Sequence, residues 1–117
     1  MLFIQYPKCS TCKKARAWLA EHGVPFEDRH IVEQNPTAEE LADWHGRSGL
    51  PLKRFFNTSG LLYKSMNLKD RLPDMPEAEQ LRLLAADGML VKRPIVVDGE
   101  TVLVGFKPAG WEAALLE

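Results

Sequence analysis

Tyr6-Pro7-Lys8-Cys9-Ser10-Thr11-Cys12-Lys13-Lys14 decides the reading of this chain. The stretch holds both cysteines of the protein, spaced Cys-x-x-Cys. It lies between a short apolar run, Leu2 to Tyr6, and a segment with helical spacing, Ala15 to His22. In a chain with no evident secretion signal, such a pair at a strand-to-helix junction reads as a redox centre. Cys9 stands at the helix start, where unpaired backbone N–H groups and the helix dipole favour a thiolate. Cys12 falls about one turn on, within reach of a mixed disulfide formed on Cys9. Lys8, Lys13, Lys14 and Arg16 place positive charge nearby, which lowers a thiol pKa further.

The remaining composition narrows the choices. The chain has 117 residues, a common length for one domain with one proper core. Hydrophobic residues make up 45% and charged residues 26%, and the net charge is −1. That balance argues against a general nucleic-acid binder, which carries a basic excess. A single close pair of cysteines cannot staple a domain of this size, so the pair is either chemistry or incidental. A structural zinc site needs four ligands, and only the scattered His22, His30 and His45 accompany the cysteines, so no metal is expected. No apolar run approaches the ~20 residues of a membrane span. The N-terminus enters a strand pattern directly, with no charged n-region or cleavage site. The expected location is the cytoplasm.

Taken in order, Leu2 to Tyr6 suits a buried strand that Pro7 ends. A helix follows from Ser10 to His22, with Ala15, Trp18 and Leu19 on one face and Gly23 as its stop. Val24 to Ile31 is expected to return as a second strand, although Asp28 and His30 share a face with Phe26. Strand–helix–strand is the economical reading, with a right-handed crossover. Thr37-Ala38-Glu39-Glu40 is a capping box for the next helix, which Gly46 or Gly49 ends. Short helical pieces then run to Gly88, and residues 37–88 contain no clear strand. Ile95-Val96-Val97 and Thr101 to Val104 flank Asp98-Gly99, a strong hairpin signal. Ala109 to Leu116 closes the chain as a helix. The order βαβ, helical insert, ββα is that of a thioredoxin-like α/β fold: one domain over 1–117 with a mixed four-stranded sheet and an insert at about 37–88.

With these segments in place, the sequence resembles the ArsC/Spx family over essentially its whole length. Three stretches carry the resemblance: Tyr6 to Arg16; Lys53-Arg54-Phe55-Phe56-Asn57-Thr58-Ser59-Gly60 followed by Tyr63; and Asp87 to Val96. The resemblance implies that Cys9 is the redox nucleophile. It implies a cis peptide bond before Pro94, facing the active cysteine, and an Arg93 that faces the thiol. A guanidinium there stabilises a thiolate or holds an oxyanion. Arsenate reductases of this type use one cysteine, at the position of Cys9, and hold arsenate with further arginines. The matching positions here are Asn57 and Phe106-Lys107. Spx-type regulators do carry the Cys-x-x-Cys pair. They continue into a basic C-terminal tail, whereas these residues end at Glu117.

The resulting expectation is a thiol–disulfide oxidoreductase acting as a monomer, with Cys9 as nucleophile, Cys12 as resolving thiol and Arg93 beside them. Lys8, Ser10, Thr11, Asn57 and Pro94 are the candidate substrate-binding residues. No bound cofactor is expected; glutathione, glutaredoxin or thioredoxin would supply the electrons, and arsenate is a candidate substrate. The alternative is an Spx-like redox-sensing regulator that binds RNA polymerase, with the same disulfide as its switch. Neither reading has the protein touch nucleic acid directly or a membrane.

Overall fold

A computed structural model describes residues 1–116. Strand β1 (Leu2–Gln5) leads into helix α1 (Ser10–Glu21), which crosses back to β2 (Glu27–His30). The insert follows: α2 (Ala38–Ser48), a 3-10 turn at Leu52–Phe55, short helices α3 (Leu61–Ser65) and α4 (Leu68–Arg71), then α5 (Glu77–Ala86). A 3-10 turn at Gly88–Leu90 leads to β3 (Ile95–Asp98), β4 (Thr101–Val104) and the closing helix α6 (Pro108–Leu115). The sheet order is β2-β1-β3-β4. β1 runs parallel to β2 and antiparallel to β3, and β3 and β4 form the hairpin expected around Asp98-Gly99. This is the mixed four-stranded, thioredoxin-like arrangement.

Alternation along the strands builds a core on each face of the sheet. Phe3 and Val96 point to one side, where they meet Ala15, Leu19 and Trp111 of α1 and α6. Ile4 and Ile95 point to the other, into a larger cluster with Leu41, Trp44, Phe55 and Leu84 of the insert. The period of two therefore sends successive residues of one strand into different layers. The Trp111 indole N–H donates to the Gly105 carbonyl at 3.1 Å, which satisfies the one polar atom that its burial would strand.

The second strand is shorter than the expected Val24–Ile31, and the cause is its position. β2 lies at the edge of the sheet, and none of its four residues is buried. Asp28 faces outward, accepting from Gln5 at 2.8 Å and pairing with Arg16 at 2.6 Å. Charged side chains on an edge discourage pairing with another chain. Phe26 precedes the strand and packs on Phe3 with ring centroids 5.2 Å apart.

The capping box forms as read. Thr37 Oγ1 accepts from the Glu40 N–H, and the Glu40 carboxylate accepts from the Thr37 N–H, both at 3.0 Å. The same carboxylate takes two hydrogen bonds from Arg29, at 2.7 and 2.8 Å, tying α2 to β2. Gly49, at φ +68°, ends the helix. Gly88 matters for a different reason. A Cβ there would lie 2.2 Å from the Ile31 carbonyl oxygen, so only glycine lets this turn pack against the end of β2.

The insert contains no strand of its own, but one bridge joins Phe56 to Val91. The Asn57 N–H donates to Leu90 at 2.7 Å and the Lys92 N–H to Phe55 at 2.8 Å. These bonds lash the segment after Leu52–Phe55 to the approach of β3. Lys53 to Asn57 is thereby held beside Lys92 and Arg93.

Candidate active site

Cys9 occupies the N-cap of α1, with extended backbone angles (φ −83°, ψ 125°). Its N–H donates to the Tyr6 carbonyl at 3.0 Å, and its own carbonyl accepts from Lys13 at 3.0 Å. This turn exposes the Cys9 side chain in part while leaving Cys12 fully buried on the inner face of α1. The Tyr6 N–H points at Cys12 Sγ from 3.5 Å. The peptide bond between Arg93 and Pro94 is cis, as the resemblance implied. Arg93 lies over the Tyr6 ring, its Cζ 5.2 Å from the centroid. Its Nη1 also reaches the Met89 carbonyl at 3.5 Å.

The two thiols are driven in opposite directions. Partial burial of the Cys9 sulfur opposes its ionisation. The Cys12 N–H and thiol, the Arg93 side chain and the Thr11 N–H favour the thiolate and outweigh that, and the Cys9 pKa falls below the ordinary thiol value. Burial pushes Cys12 up to about 12. The Tyr6 N–H works against this rise, while the charge and the hydrogen bond of Cys9 add to it. The pair is one exposed, activated sulfur backed by one protonated, hidden sulfur.

Cys9 opens on a cleft of about 1100 Å³. Of the residues picked out in sequence, Cys9, Thr11, Asn57 and Arg93 line it. Lys8 and Ser10 are exposed outside its walls, and Pro94 is buried behind them. Lys13 and Lys14 are solvated on α1, and Arg16 is engaged with Asp28. The activation of Cys9 thus comes from the polar groups at the helix start and from Arg93, not from the cations that flank it in sequence. The histidines serve elsewhere. His22 Nδ1 donates to the Trp18 carbonyl, His30 Nδ1 accepts from the Val32 and Glu33 N–H groups, and His45 contacts Glu77.

The sequence reading assigned no role to three cleft cations, Lys53, Arg54 and Lys92, and named Lys107 only as standing where a further arginine would be. With Arg93 they put five cations on the wall, and no aspartate or glutamate lines it. The available signal was the recurrence of basic pairs, Lys53-Arg54 and Lys92-Arg93, inside the stretches that carried the family resemblance.

Comparison with known proteins agrees with this fold. The model of the ArsC family matches residues 4–114. This chain belongs to the ArsC family. It is 55% identical over 112 residues to the uncharacterized protein YusI of Bacillus subtilis, covering 96% of this chain and 95% of that one. It is 32% identical to the global transcriptional regulator Spx of Enterococcus faecalis, over 86% of this chain and 74% of the regulator. The crystal structure of a putative ArsC family related protein from Bacteroides fragilis superposes with a TM-score of 0.93 at 57% identity, covering 96% and 94% of the two chains.

Proposed function

We propose that this ArsC-family protein is a dithiol–disulfide oxidoreductase. The observation that carries the reading is the asymmetry of the pair: Cys9 half-exposed with a lowered pKa, and Cys12 fully buried with a raised one. The Cys9 thiolate attacks one sulfur of a substrate disulfide. A Cys9–substrate S–S bond forms, the substrate S–S bond breaks, and the departing thiolate takes a proton from water. Cys12 then loses its proton and attacks the Cys9 sulfur. A Cys9–Cys12 disulfide forms and the second substrate thiolate leaves and is protonated. Two electrons pass from the cysteine pair to the substrate. A thiol donor (glutathione, glutaredoxin or thioredoxin) returns them.

The raised pKa of Cys12 fits this order of events. While Cys9 is a thiolate, its charge and hydrogen bond help to keep the proton on Cys12. Once Cys9 is tied up in the mixed disulfide, that charge is gone and Cys12 ionises more readily. Burial, the larger cause, still holds the proton on Cys12, so the adduct removes only part of the rise. Arsenate reduction is the weaker form of the same chemistry here. A one-cysteine route has no need of Cys12, and Asn57 and Lys107 stand where further arginines would hold the oxyanion.

The test is a disulfide-exchange assay beside an arsenate-reduction assay on one preparation, with glutathione–glutaredoxin and thioredoxin as alternative donors. Cys12→Ser should accumulate a mixed disulfide on Cys9. Arsenate turnover without disulfide exchange, or full exchange by Cys12→Ser with no trapped adduct, would overturn the proposal. The likeness to Spx supports a second reading, a redox-gated contact with RNA polymerase. Retention of polymerase by the oxidised protein alone would favour it.

A further inference from the structure

The chain as a whole is almost neutral, with 15 lysines and arginines against 16 aspartates and glutamates. Its charges are nonetheless sorted in space. Lys53, Arg54, Lys92, Arg93 and Lys107 all line the cleft in front of Cys9, and no carboxylate lines it with them. None of the five forms an ion pair among the described residues, whereas Arg16, Arg29 and Arg47 are each paired with an aspartate or glutamate elsewhere. The hollow beside β2, at the far edge of the sheet, leans the other way, with Glu27, Asp28 and Glu33 against the single Arg29. Unpaired like charges around one cavity repel each other, so they favour an anionic occupant that neutralises several at once.

Size and shape select the kind of anion. About 1100 Å³ is at or above the upper end of small-molecule pockets, roughly 300–1,000 Å³. The cations come from three separated segments, so they demand charges spread along the occupant. Leu61, at the same wall, is 86% exposed, the most exposed large apolar side chain among the described residues. An apolar group on the occupant would cover it.

We propose that this cleft docks an acidic polypeptide segment, with at least one apolar side chain against Leu61, and so presents a disulfide in that segment to Cys9. The proposal rests on the disulfide-exchange reading for its chemistry, but the docking does not depend on it. Carboxylates of the segment meet Lys53 and Arg54 on the insert side and Lys92 and Lys107 on the sheet side. Arg93 stays with the thiol. Specificity for the partner thus resides in residues that take no part in the electron transfer.

The test separates docking from chemistry by using the Cys9→Ser/Cys12→Ser double variant, which can bind but cannot exchange. Its affinity is measured by fluorescence anisotropy for a short labelled peptide of alternating glutamate and leucine and for the same peptide with glutamine in place of glutamate, and by titration calorimetry for oxidised glutathione. The acidic peptide should bind, the glutamine peptide should bind at least tenfold more weakly, and raised salt should weaken the acidic peptide alone. Lys53→Gln and Lys107→Gln should each weaken it about two- to fivefold, as expected of exposed charge pairs. Lys69→Gln, on the exposed side of α4, should leave it unchanged, and Leu61→Ser should weaken both peptides. Equal binding of the acidic and neutral peptides, or indifference to Lys53 and Lys107, would overturn the proposal. Binding of oxidised glutathione with no binding of the peptide would overturn it in favour of a small anionic thiol. The exchange assay on the unaltered protein reports separately on the redox reading.

Discussion

Cys12 offers the sharpest measurement on this protein. Its pKa lies at about 12 against an ordinary thiol value of 9.0, a difference of about three units. Each unit is tenfold in the ratio of thiolate to thiol, so ionisation alone should make Cys12 on the order of a thousandfold less reactive than a free thiol at pH 8. Full burial slows reagent access further. Part of the three units comes from the charge and hydrogen bond of Cys9, and that part can be removed. Cys9→Ala deletes both while leaving the desolvation of Cys12 in place. The assay is alkylation by iodoacetamide from pH 6 to 10, with the modified residue assigned by mass spectrometry of peptides. In the unaltered protein, Cys9 should be modified first, and its rate should level off below the ordinary thiol range. In Cys9→Ala, Cys12 should react faster than it does in the parent, with its profile moved toward lower pH. Equal labelling of the two cysteines at pH 8, or a Cys12 no faster in Cys9→Ala, would refute the claim that the thiolate holds the second proton in place. The same shift acts on the fold. Cys12 ionises near 9.0 in the unfolded chain and near 12 in the folded one. Its contribution is therefore fully present below about pH 9 and is lost as pH rises toward 12.

Three further outcomes follow from the geometry. Arg93→Met should raise the Cys9 pKa and slow its alkylation near neutral pH, with the circular dichroism spectrum unchanged; an unmoved profile would remove Arg93 from the site. Glu40→Gln should cost about 1–2 kcal/mol in urea unfolding at pH 7. The Arg29 hydrogen bonds hold Glu40 near 2 against 4.5, and its side chain is 35% exposed, so solvent screening reduces what the full shift would give. That contribution should be fully present above about pH 4.5 and lost as pH falls through about 2. Gly88→Ala should destabilise the fold by ~2–4 kcal/mol, because the new Cβ would meet backbone at the Ile31 carbonyl, which cannot rotate away; a shift in the thermal midpoint of less than a degree would show that the turn can move.

Most of the scaffold was legible because its signals are local. Cys9 to Cys12, the Thr37–Glu40 box and Asp98-Gly99 each specify a junction within a few residues. β2 was the weak element, and the structure shows why. An edge strand bonded on one side and bearing outward charges has no apolar alternation to read. The cationic wall was illegible for a different reason. Lys53 and Lys92 are distant in sequence and become neighbours only through the Phe56–Val91 bridge. Lys107 is brought in by the Gly105 N–H bond to the Pro94 carbonyl at 2.8 Å. By contrast, Lys8 and Lys13 looked relevant from proximity in sequence, yet neither lines the cleft.

That contrast bears on how the site divides its labour. Burial acts most strongly on both thiols; beside it and the influence of each thiol on the other, the groups that set their reactivity lie close to the start of α1 or on the β3 approach: the Cys12, Thr11 and Tyr6 N–H groups and the Arg93 guanidinium. Lys53, Arg54 and Leu61 are supplied by the insert and do not figure among the groups that shift either thiol. Changes in the insert should therefore alter which substrate is held without altering how readily Cys9 ionises. A Lys53→Glu variant makes the distinction measurable. It should retain the alkylation profile of Cys9 while weakening capture of an acidic disulfide peptide, so that the rate at limiting substrate falls and the rate at saturation does not. Loss of both together would mean that the insert also tunes the thiol, and that recognition and reactivity are not separable in this fold.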